Sequence, residues 1–472
     1  MQIQVPVPPG RSWLGVLPIL AGVLWLLSVN GVIWGALSLV PSAVLVAGGV
    51  CVLLLPGDAR ALGLIGMGGL FGVLMSPLAW LFTGLGTALL VLLLSLASLV
   101  VAGQLSLRSV ARHADVPPPM ATLPMSLKVA LDEAVLGYFV STAALPGQAK
   151  AVRMGDQARQ LQALIDARQW ARDPARLHVA PAAPAEFDLT PGRWARIEFQ
   201  TLRFASGFSL PTDVPLGDDP LTSARNRMCH VRVLRHPGAP RPWLMCVHGY
   251  RMGSALTDFG LFDPRYFHHR LGLNVIQPVL PLHGPRRTGK RSGDFYLDGD
   301  LIDLFNVQTQ ALWDLRRTLA WLRAQEPEPV QVGVLGISLG GYNTALLAGF
   351  EADLDFAIAG IPVTDFAGAL WRVLPPAHAA YFAQQGLDVA AYRELLAPVS
   401  PLSVAPLIPE SARHIFAATG DRLVPAENPL ALSAHWQVPV QWYQGAHLTI
   451  RNEPLLRRVL RQAAQQAGWN LP

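Results

Sequence analysis

From Ser12 to Gly57, and again from Ala61 to Leu107, the chain carries no charged side chain. Each run is more than twice the roughly 20 apolar residues that a membrane-spanning helix needs, so each divides naturally into two. The divisions fall at Asn30-Gly31 and Thr83-Gly84, predicting four spans near residues 13–29, 32–55, 61–82 and 85–103. Backbone polar groups in lipid must bond within their own segment, which favours helices here despite the valine content. Pro18, Pro41 and Pro77 lie inside the spans, where kinks are expected. A cleaved signal peptide would explain the first span alone.

Beyond the last span the pattern changes. Val116-Pro117-Pro118-Pro119, followed by Pro124, reads as a stiff, extended spacer. Leu127, Ala130, Leu131, Ala134, Val135, Tyr138 and Phe139 then recur at helical spacing and predict a helix over 127–144, with a second over 151–171. An interfacial helix lying over lipid is one reading of this pair, and two helices packed on a core is the simpler one. Pro181-Ala182-Ala183-Pro184 marks a boundary. Eight strands are predicted after it, near 193–204, 229–235, 243–247, 274–280, 330–335, 355–359, 414–418 and 438–443. The later ones are short and separated by helix-sized segments such as 301–324, which suits a parallel sheet covered by helices. The division that results is a transmembrane region 1–107, a juxtamembrane helical linker 108–188 and a large C-terminal domain 189–472. An insertion at 365–410 is rich in aromatic residues and proline.

Charge narrows the function classes. The 472 residues include 37 basic and 32 acidic side chains, and the only lysines are Lys128, Lys150 and Lys290. No basic tract with interleaved aromatics is present, so nucleic acid is not an expected partner. Arg11, Arg60, Arg108 and Arg112 all fall on one side of a four-span bundle, and the positive-inside rule makes that side cytoplasmic, the 189–472 domain with it. Cys51, Cys229 and Cys246 show no paired spacing, so neither a disulfide framework nor a cysteine metal site is expected. His268-His269 lacks carboxylate or cysteine partners at ligand spacing, and neither a metal nor a cofactor is expected.

The chemistry concentrates around Gly336-Ile337-Ser338-Leu339-Gly340, which directly follows an apolar strand and directly precedes a helical segment. A serine in a glycine-flanked strand-to-helix turn is the pattern of a nucleophile elbow. A serine hydroxyl attacks at neutral pH only when an imidazole accepts its proton, and the imidazole needs a carboxylate to fix its tautomer. Asp421 in Thr419-Gly420-Asp421 and His447 in Gly445-Ala446-His447 each follow a predicted strand and supply those groups downstream. Asp365 also follows a strand and is the alternative acid, or else the cap of the helix after it. His283 follows a strand too, with loop-shaping hydrogen bonds as its plainer role. The run Arg286-Arg287-Thr288-Gly289-Lys290-Arg291 reads either as an anion-recognition loop or, more simply, as solvated surface.

With its order serine, acid, histidine, and with Val247-His248-Gly249-Tyr250 after an earlier strand, the chain resembles the alpha/beta-hydrolase superfamily over roughly residues 191–472. The resemblance implies an α/β fold: an eight-stranded, mostly parallel sheet with helices on both faces and a helical lid at 365–410, here joined to the four-helix membrane bundle. It implies backbone N–H groups of Tyr250 and Leu339 as an oxyanion hole, with His248 structural. The activity implied is that of a membrane-anchored serine hydrolase cleaving ester or thioester bonds through an acyl-enzyme on Ser338, with a lipid-like or small acyl ester as substrate and the bilayer as partner. The alternative is a catalytically inactive hydrolase fold serving as an interaction module at the membrane.

Overall fold

The computed structural model of the protein describes residues 12–55, 60–111, 113–143, 145–326 and 329–472. The chain forms two compact units, one of Met1–Ala143, Ala418–Ala426 and Trp442–Glu453, the other of Ala144–Ala417, Glu427–Gln441 and Pro454–Pro472.

In the first unit the charge-free runs become α1 (Val16–Leu27), α2 (Val32–Leu54), α3 (Arg60–Thr83) and α4 (Leu85–Arg108). The breaks fall where the sequence places them: Gly31 and Gly84 precede α2 and α4 at φ of 81° and 82°, a backbone conformation that costs glycine little. Pro41 and Pro77 sit inside continuous helices. Trp25, Trp34, Leu45, Ala79 and Val91 form a buried cluster, within which the Trp25 indole N–H donates to Ser95 Oγ at 3.0 Å. Leu20, Leu74, Leu81 and Leu93 face outward, an apolar surface suited to lipid.

Among the described residues, the expectation of four spans is corrected to three. α2, α3 and α4 have the length and composition to cross a membrane. The first apolar helix does not. It opens with a single 3-10 turn over Trp13–Gly15, capped by Ser12, and α1 itself has 12 residues. At 1.5 Å per residue that is about 18 Å, against a hydrocarbon core of about 30 Å. Of the arginines that set the expected orientation, Arg11 and Arg112 lie outside the described residues, while Arg60 begins α3 and Arg108 ends α4. The unit is completed by α5 (Leu123–Thr142), started by Thr122, whose hydroxyl accepts from the Met125 N–H, and by Pro124 in its first turn.

The second unit begins with α6 (Gln148–Arg168) and carries, apart from Ala418, Trp442 and Tyr443 of the first unit, the sheet of nine strands found among the described residues. These are β1 (Asp188–Trp194), β2 (Ile197–Ala205), β3 (Met228–Leu234), β4 (Trp243–Val247), β5 (Asn274–Pro278), β6 (Val332–Ile337), β7 (Phe356–Gly360), β8 (Arg413–Ala418) and β9 (Val440–Tyr443). Their order is β1-β2-β3-β5-β4-β6-β7-β8-β9, antiparallel from β1 through β3 to β5 and parallel from β5 to β8. Nine strands replace the expected eight because the chain folds back inside the segment taken as the first strand. Ala195 at φ 53° turns it, and Trp194 pairs with Ile197. Pro191 is tolerated in β1 because that strand is an edge.

The central strands β4, β5, β6 and β7 are buried at every position, as sheets covered by helices require. The helices are α7 (Ala255–Leu261), α8 (Leu301–Gln325), α9 (Leu339–Leu347), α10 (Phe366–Val373), α11 (Pro376–Gln384), α12 (Val389–Leu396), α13 (Glu427–Trp436) and α14 (Pro454–Gln466). α8 occupies the 301–324 segment and is capped by Asp300, whose carboxylate accepts from the Ile302 N–H. The 365–410 insertion folds into α10, α11 and α12, between β7 and β8.

Candidate active site

Ser338 stands between the buried strand β6 and helix α9, at φ 59° and ψ −115°. A non-glycine residue there is strained, and it persists because its surroundings fix it. Its N–H donates to Gly360 O on β7 at 2.9 Å, and its carbonyl accepts the first helical bond from Tyr342 N–H at 3.0 Å. The glycines on either side are required by close approach. A β-carbon at Gly340 would lie 1.9 Å from Val247 O, and one at Gly336 would lie 2.0 Å from Gly340 O. Because the clashing atoms are backbone, Gly340→Ala is expected to lower stability by about 3 kcal/mol or more. Thermal unfolding of the detergent-solubilised protein reads this directly, and an unchanged midpoint would contradict the packing described.

The loop after β4 abuts the elbow. A β-carbon at Gly249 would lie 3.6 Å from Ser338 Cβ and 3.4 Å from Ile337 O, so the Gly249-Tyr250 backbone runs beside the serine. His248 holds this loop rather than facing a ligand: its Nδ1–H donates to Gly249 O at 2.8 Å and its Nε2 accepts from Leu280 N–H at 3.1 Å. Burial lowers its pKa and keeps it in that neutral tautomer. Arg251 follows at φ 67° and forms ion pairs with Asp294 and, at 2.7 Å, with Asp298, tying the loop to the stretch after His283. None of these three carries a signal in the sequence, because the partners lie more than forty residues apart along the chain.

Other residues singled out in the sequence resolve into structural roles. His283 Nδ1–H donates to Pro281 O at 2.9 Å, shaping its own loop. Asp365 caps α10, accepting from Gly368 N–H at 2.9 Å, and pairs with Arg393 at 2.6 Å. His268 Nδ1–H donates to Leu273 O at 2.8 Å. In the arginine-rich loop Arg287 and Lys290 are exposed, as solvated surface would be, but Arg286 is fully buried, ion-paired with Asp314 at 2.7 Å and donating to the carbonyls of Asn226 and Val279. A buried guanidinium is retained when its donors are matched in this way.

Asp421 and His447 meet within the first unit. His447 Nδ1–H donates to Asp421 Oδ2 at 2.7 Å, while Asp421 Oδ1 accepts from the N–H groups of Leu423 and Val424 at 3.0 and 2.7 Å. The carboxylate is thus anchored by backbone on one oxygen and fixes the imidazole tautomer with the other, leaving Nε2 as the nitrogen with a lone pair. Burial pulls the imidazole pKa down, but the charges of Asp421 and Asp132 and the Asp421 hydrogen bond outweigh it, and the net shift is upward.

Asp132, on α5, was missed by sequence reasoning. It is fully buried, its Oδ2 accepts from the N–H groups of His447 and Arg422 at 2.8 and 3.1 Å, and its Oδ1 accepts from Leu448 N–H at 3.0 Å. The available signal was two adjacent acids, Asp132 and Glu133, interrupting the apolar run 129–140. Among the described residues no cluster of three or more histidine, cysteine or acidic side chains is arranged to hold a metal ion.

No protein-family model matches the chain. The uncharacterized protein Rv2627c of Mycobacterium tuberculosis strain H37Rv is 37% identical over 303 residues, covering 64% of this chain and 72% of that protein. The chain belongs to the family of that protein. The uncharacterized protein MT2702 of strain CDC 1551 matches this family member with the same identity and coverage. Solved structures similar to it include an acetyl xylan esterase from Paenibacillus sp. R4, at 13% identity and TM-score 0.42, covering 69% of this chain and 98% of the esterase. Acetyl xylan esterase 1 from Thermoanaerobacterium sp. is similar at 15% identity and TM-score 0.43, covering 70% and 98%. A puromycin-hydrolyzing peptidase of Mycobacterium tuberculosis is similar at 19% identity and TM-score 0.35, covering 52% and 39%. The sheet order and the elbow after β6 make this family member an alpha/beta hydrolase in fold, as its sequence resemblance implies.

Proposed function

We propose that the protein is a membrane-anchored serine hydrolase of ester or thioester bonds. The observation that carries this reading is the strained backbone of Ser338 between β6 and α9, the setting in which a serine is presented for attack. In the reaction we assign, His447 Nε2 takes the Ser338 proton as Oγ bonds to the acyl carbon. The tetrahedral oxyanion is met by the backbone N–H groups of Tyr250 and Leu339. Its collapse breaks the bond to the leaving alcohol or thiol, which takes the proton from His447. Water then repeats the sequence on the acyl-enzyme, releasing the acid and Ser338. Asp421 holds the imidazole and stabilises the imidazolium throughout. Each oxyanion donor is expected to contribute about 3 to 4 kcal/mol.

The helices of the 365–410 insertion support an apolar acyl group. Trp371 packs against Phe382 and Tyr392, and Phe366 against Tyr342 of α9, the helix that begins at the serine. We assign this insertion as a lid, the helices α2, α3 and α4 as the anchor, and the cytoplasmic face as the side of the catalytic domain. Hydrolysis of p-nitrophenyl esters of graded chain length by the full-length protein tests the activity. Turnover rising with chain length is the expected result, and no turnover of any ester or thioester would favour the non-catalytic interaction module instead.

The electrostatics of His447 set a pH dependence. The base must be neutral to accept a proton, so kcat/KM rises as pH climbs through its pKa in the free enzyme. With that pKa shifted up, the acid limb is expected above the ordinary histidine value of about 6.5. A pH profile with its acid limb below that value would contradict the assignment of His447 as base.

A further inference from the structure

We propose that Asp132 is a positioning residue for His447, so that the juxtamembrane helix α5 sets the geometry of the general base. The proposal rests on the serine hydrolase reading above. A single carboxylate spans both loops of interest: it takes the main-chain N–H of His447, that of its successor Leu448, and that of Arg422, the residue after Asp421. A carboxylate accepting three backbone N–H groups fixes the loops to one another and to α5.

The same arm grips these loops elsewhere. Glu133 accepts from Arg422 Nε at 2.7 Å. Lys128 pairs with Glu453 at 2.6 Å and donates to Gln444 O at 3.2 Å. The Gln444 side chain bonds the Pro-rich spacer, accepting from Met120 N–H at 2.9 Å and donating to Pro118 O at 3.2 Å. Met125 and Val129 pack against Ala446. The spacer and α5 therefore form a bracket around the segment that ends in His447.

Nor is α5 free to drift from the membrane helices. A β-carbon at Gly137 would lie 2.3 Å from Gly63 O on α3, and one at Gly103 on α4 would lie 1.8 Å from Ser126 O on α5. Backbone meets backbone at both crossings, as small residues permit between packed helices. A displacement of α3 or α4 has no compliant side chain to absorb it before α5, and from α5 three hydrogen bonds reach the catalytic loops.

The placement of charge argues against a purely structural role. The groups facing Asp132 are Asp421 and His447, the Arg422–Glu133 pair, Tyr443 at the end of β9, and the Lys128–Glu453 pair beyond. Of these, Asp421 is a carboxylate with no cation of its own among the described residues besides His447, an arrangement that a scaffold would avoid and that the imidazolium formed during catalysis would offset. Burial and the Asp421 charge push the Asp132 carboxyl up to about 7, with His447 and the two backbone amides of residues 447 and 448 pulling the other way. Ionised Asp132 in turn raises the proton affinity of His447.

The test uses the full-length protein in nanodiscs, with Asp132→Asn as the isosteric variant and Asp132→Glu as a second that keeps the charge but displaces it. Exchange of the His447 Cε1 hydrogen for deuterium, followed across pH by mass spectrometry, reads the imidazole pKa without any turnover. Amide exchange of peptides spanning residues 447–448 reads the hydrogen bonds. In Asp132→Asn the His447 pKa and the acid limb of kcat/KM are both expected to move to lower pH. The 447–448 amides are expected to exchange faster, and kcat to fall roughly a hundredfold with KM little changed. In Asp132→Glu the expected result is a comparable loss of kcat with the His447 titration close to wild type. An Asp132→Asn protein whose kcat falls while the His447 titration stays in place would reduce Asp132 to scaffold and overturn the proposal, as would wild-type kcat in Asp132→Glu. The hydrolase reading fails separately: a wild-type protein without ester turnover, yet with His447 titration and amide exchange that respond to Asp132→Asn, would sink that reading while leaving the link from Asp132 to His447 standing.

Discussion

Alanine at position 338 is expected to reduce kcat by about a millionfold while leaving the protein folded. Both halves of this expectation follow from the local structure. The strain at φ 59° comes from the β-carbon, which alanine shares with serine, and the elbow's ties are backbone bonds to Gly360 O and from Tyr342 N–H. Removing Oγ therefore changes neither the turn nor the packing of β6 on α9, and thermal unfolding should match wild type. What disappears is the atom that bonds to the acyl carbon. Residual rate would come from water attacking a substrate still bound beside the oxyanion donors, so KM should change little. Turnover of the best p-nitrophenyl ester by wild type and Ser338→Ala, prepared identically, measures the ratio. A variant retaining a tenth of wild-type kcat would remove Ser338 from the mechanism.

Asp421→Asn is the second large effect, expected to lower kcat about 10⁴-fold. The two N–H groups of Leu423 and Val424 already converge on Asp421 Oδ1 and would select the amide oxygen of an asparagine there. The NH₂ group then faces His447 Nδ1, where a donor now sits at 2.7 Å. To avoid two opposed donors the imidazole must shift its proton to Nε2, the nitrogen assigned to accept from Ser338. The wrong tautomer is thus built in by the backbone around residue 421, not merely permitted. Asp365→Asn supplies the comparison, because Asp365, at the start of the 365–410 insertion, is committed to the Gly368 N–H and to Arg393 of α12. Its loss should cost stability of α10 and at most a few-fold in kcat. If Asp365→Asn proved the more damaging of the two, the acid would have to be reassigned.

Much of this was legible in the chain because a few physical rules leave little choice. Runs without charge became α1 to α4, and the glycines at 31 and 84 broke them where the pattern said. The elbow was readable because strand, serine, glycine and helix occupy consecutive residues, so no long-range information was needed. What escaped notice is equally specific. The shortness of α1 depends on where hydrogen bonding changes from 3-10 to α, which an unbroken apolar run does not record. The β1–β2 hairpin turns at Ala195, a residue with no turn signature. Arg286 looked like surface because its partner, Asp314, and the carbonyl of Asn226 lie in distant segments. Asp132 is the sharpest case: its partners are backbone amides more than three hundred positions away on average, and amides have no sequence identity at all.

The most direct test of the account is covalent. The full-length protein should be treated with a fluorophosphonate and digested, and the adduct located by mass spectrometry. The account predicts a single modified site at Ser338, abolished in Ser338→Ala and greatly slowed in Asp421→Asn. Labelling that persists in Ser338→Ala, or an unmodified Ser338 in protein that hydrolyses esters, would contradict it.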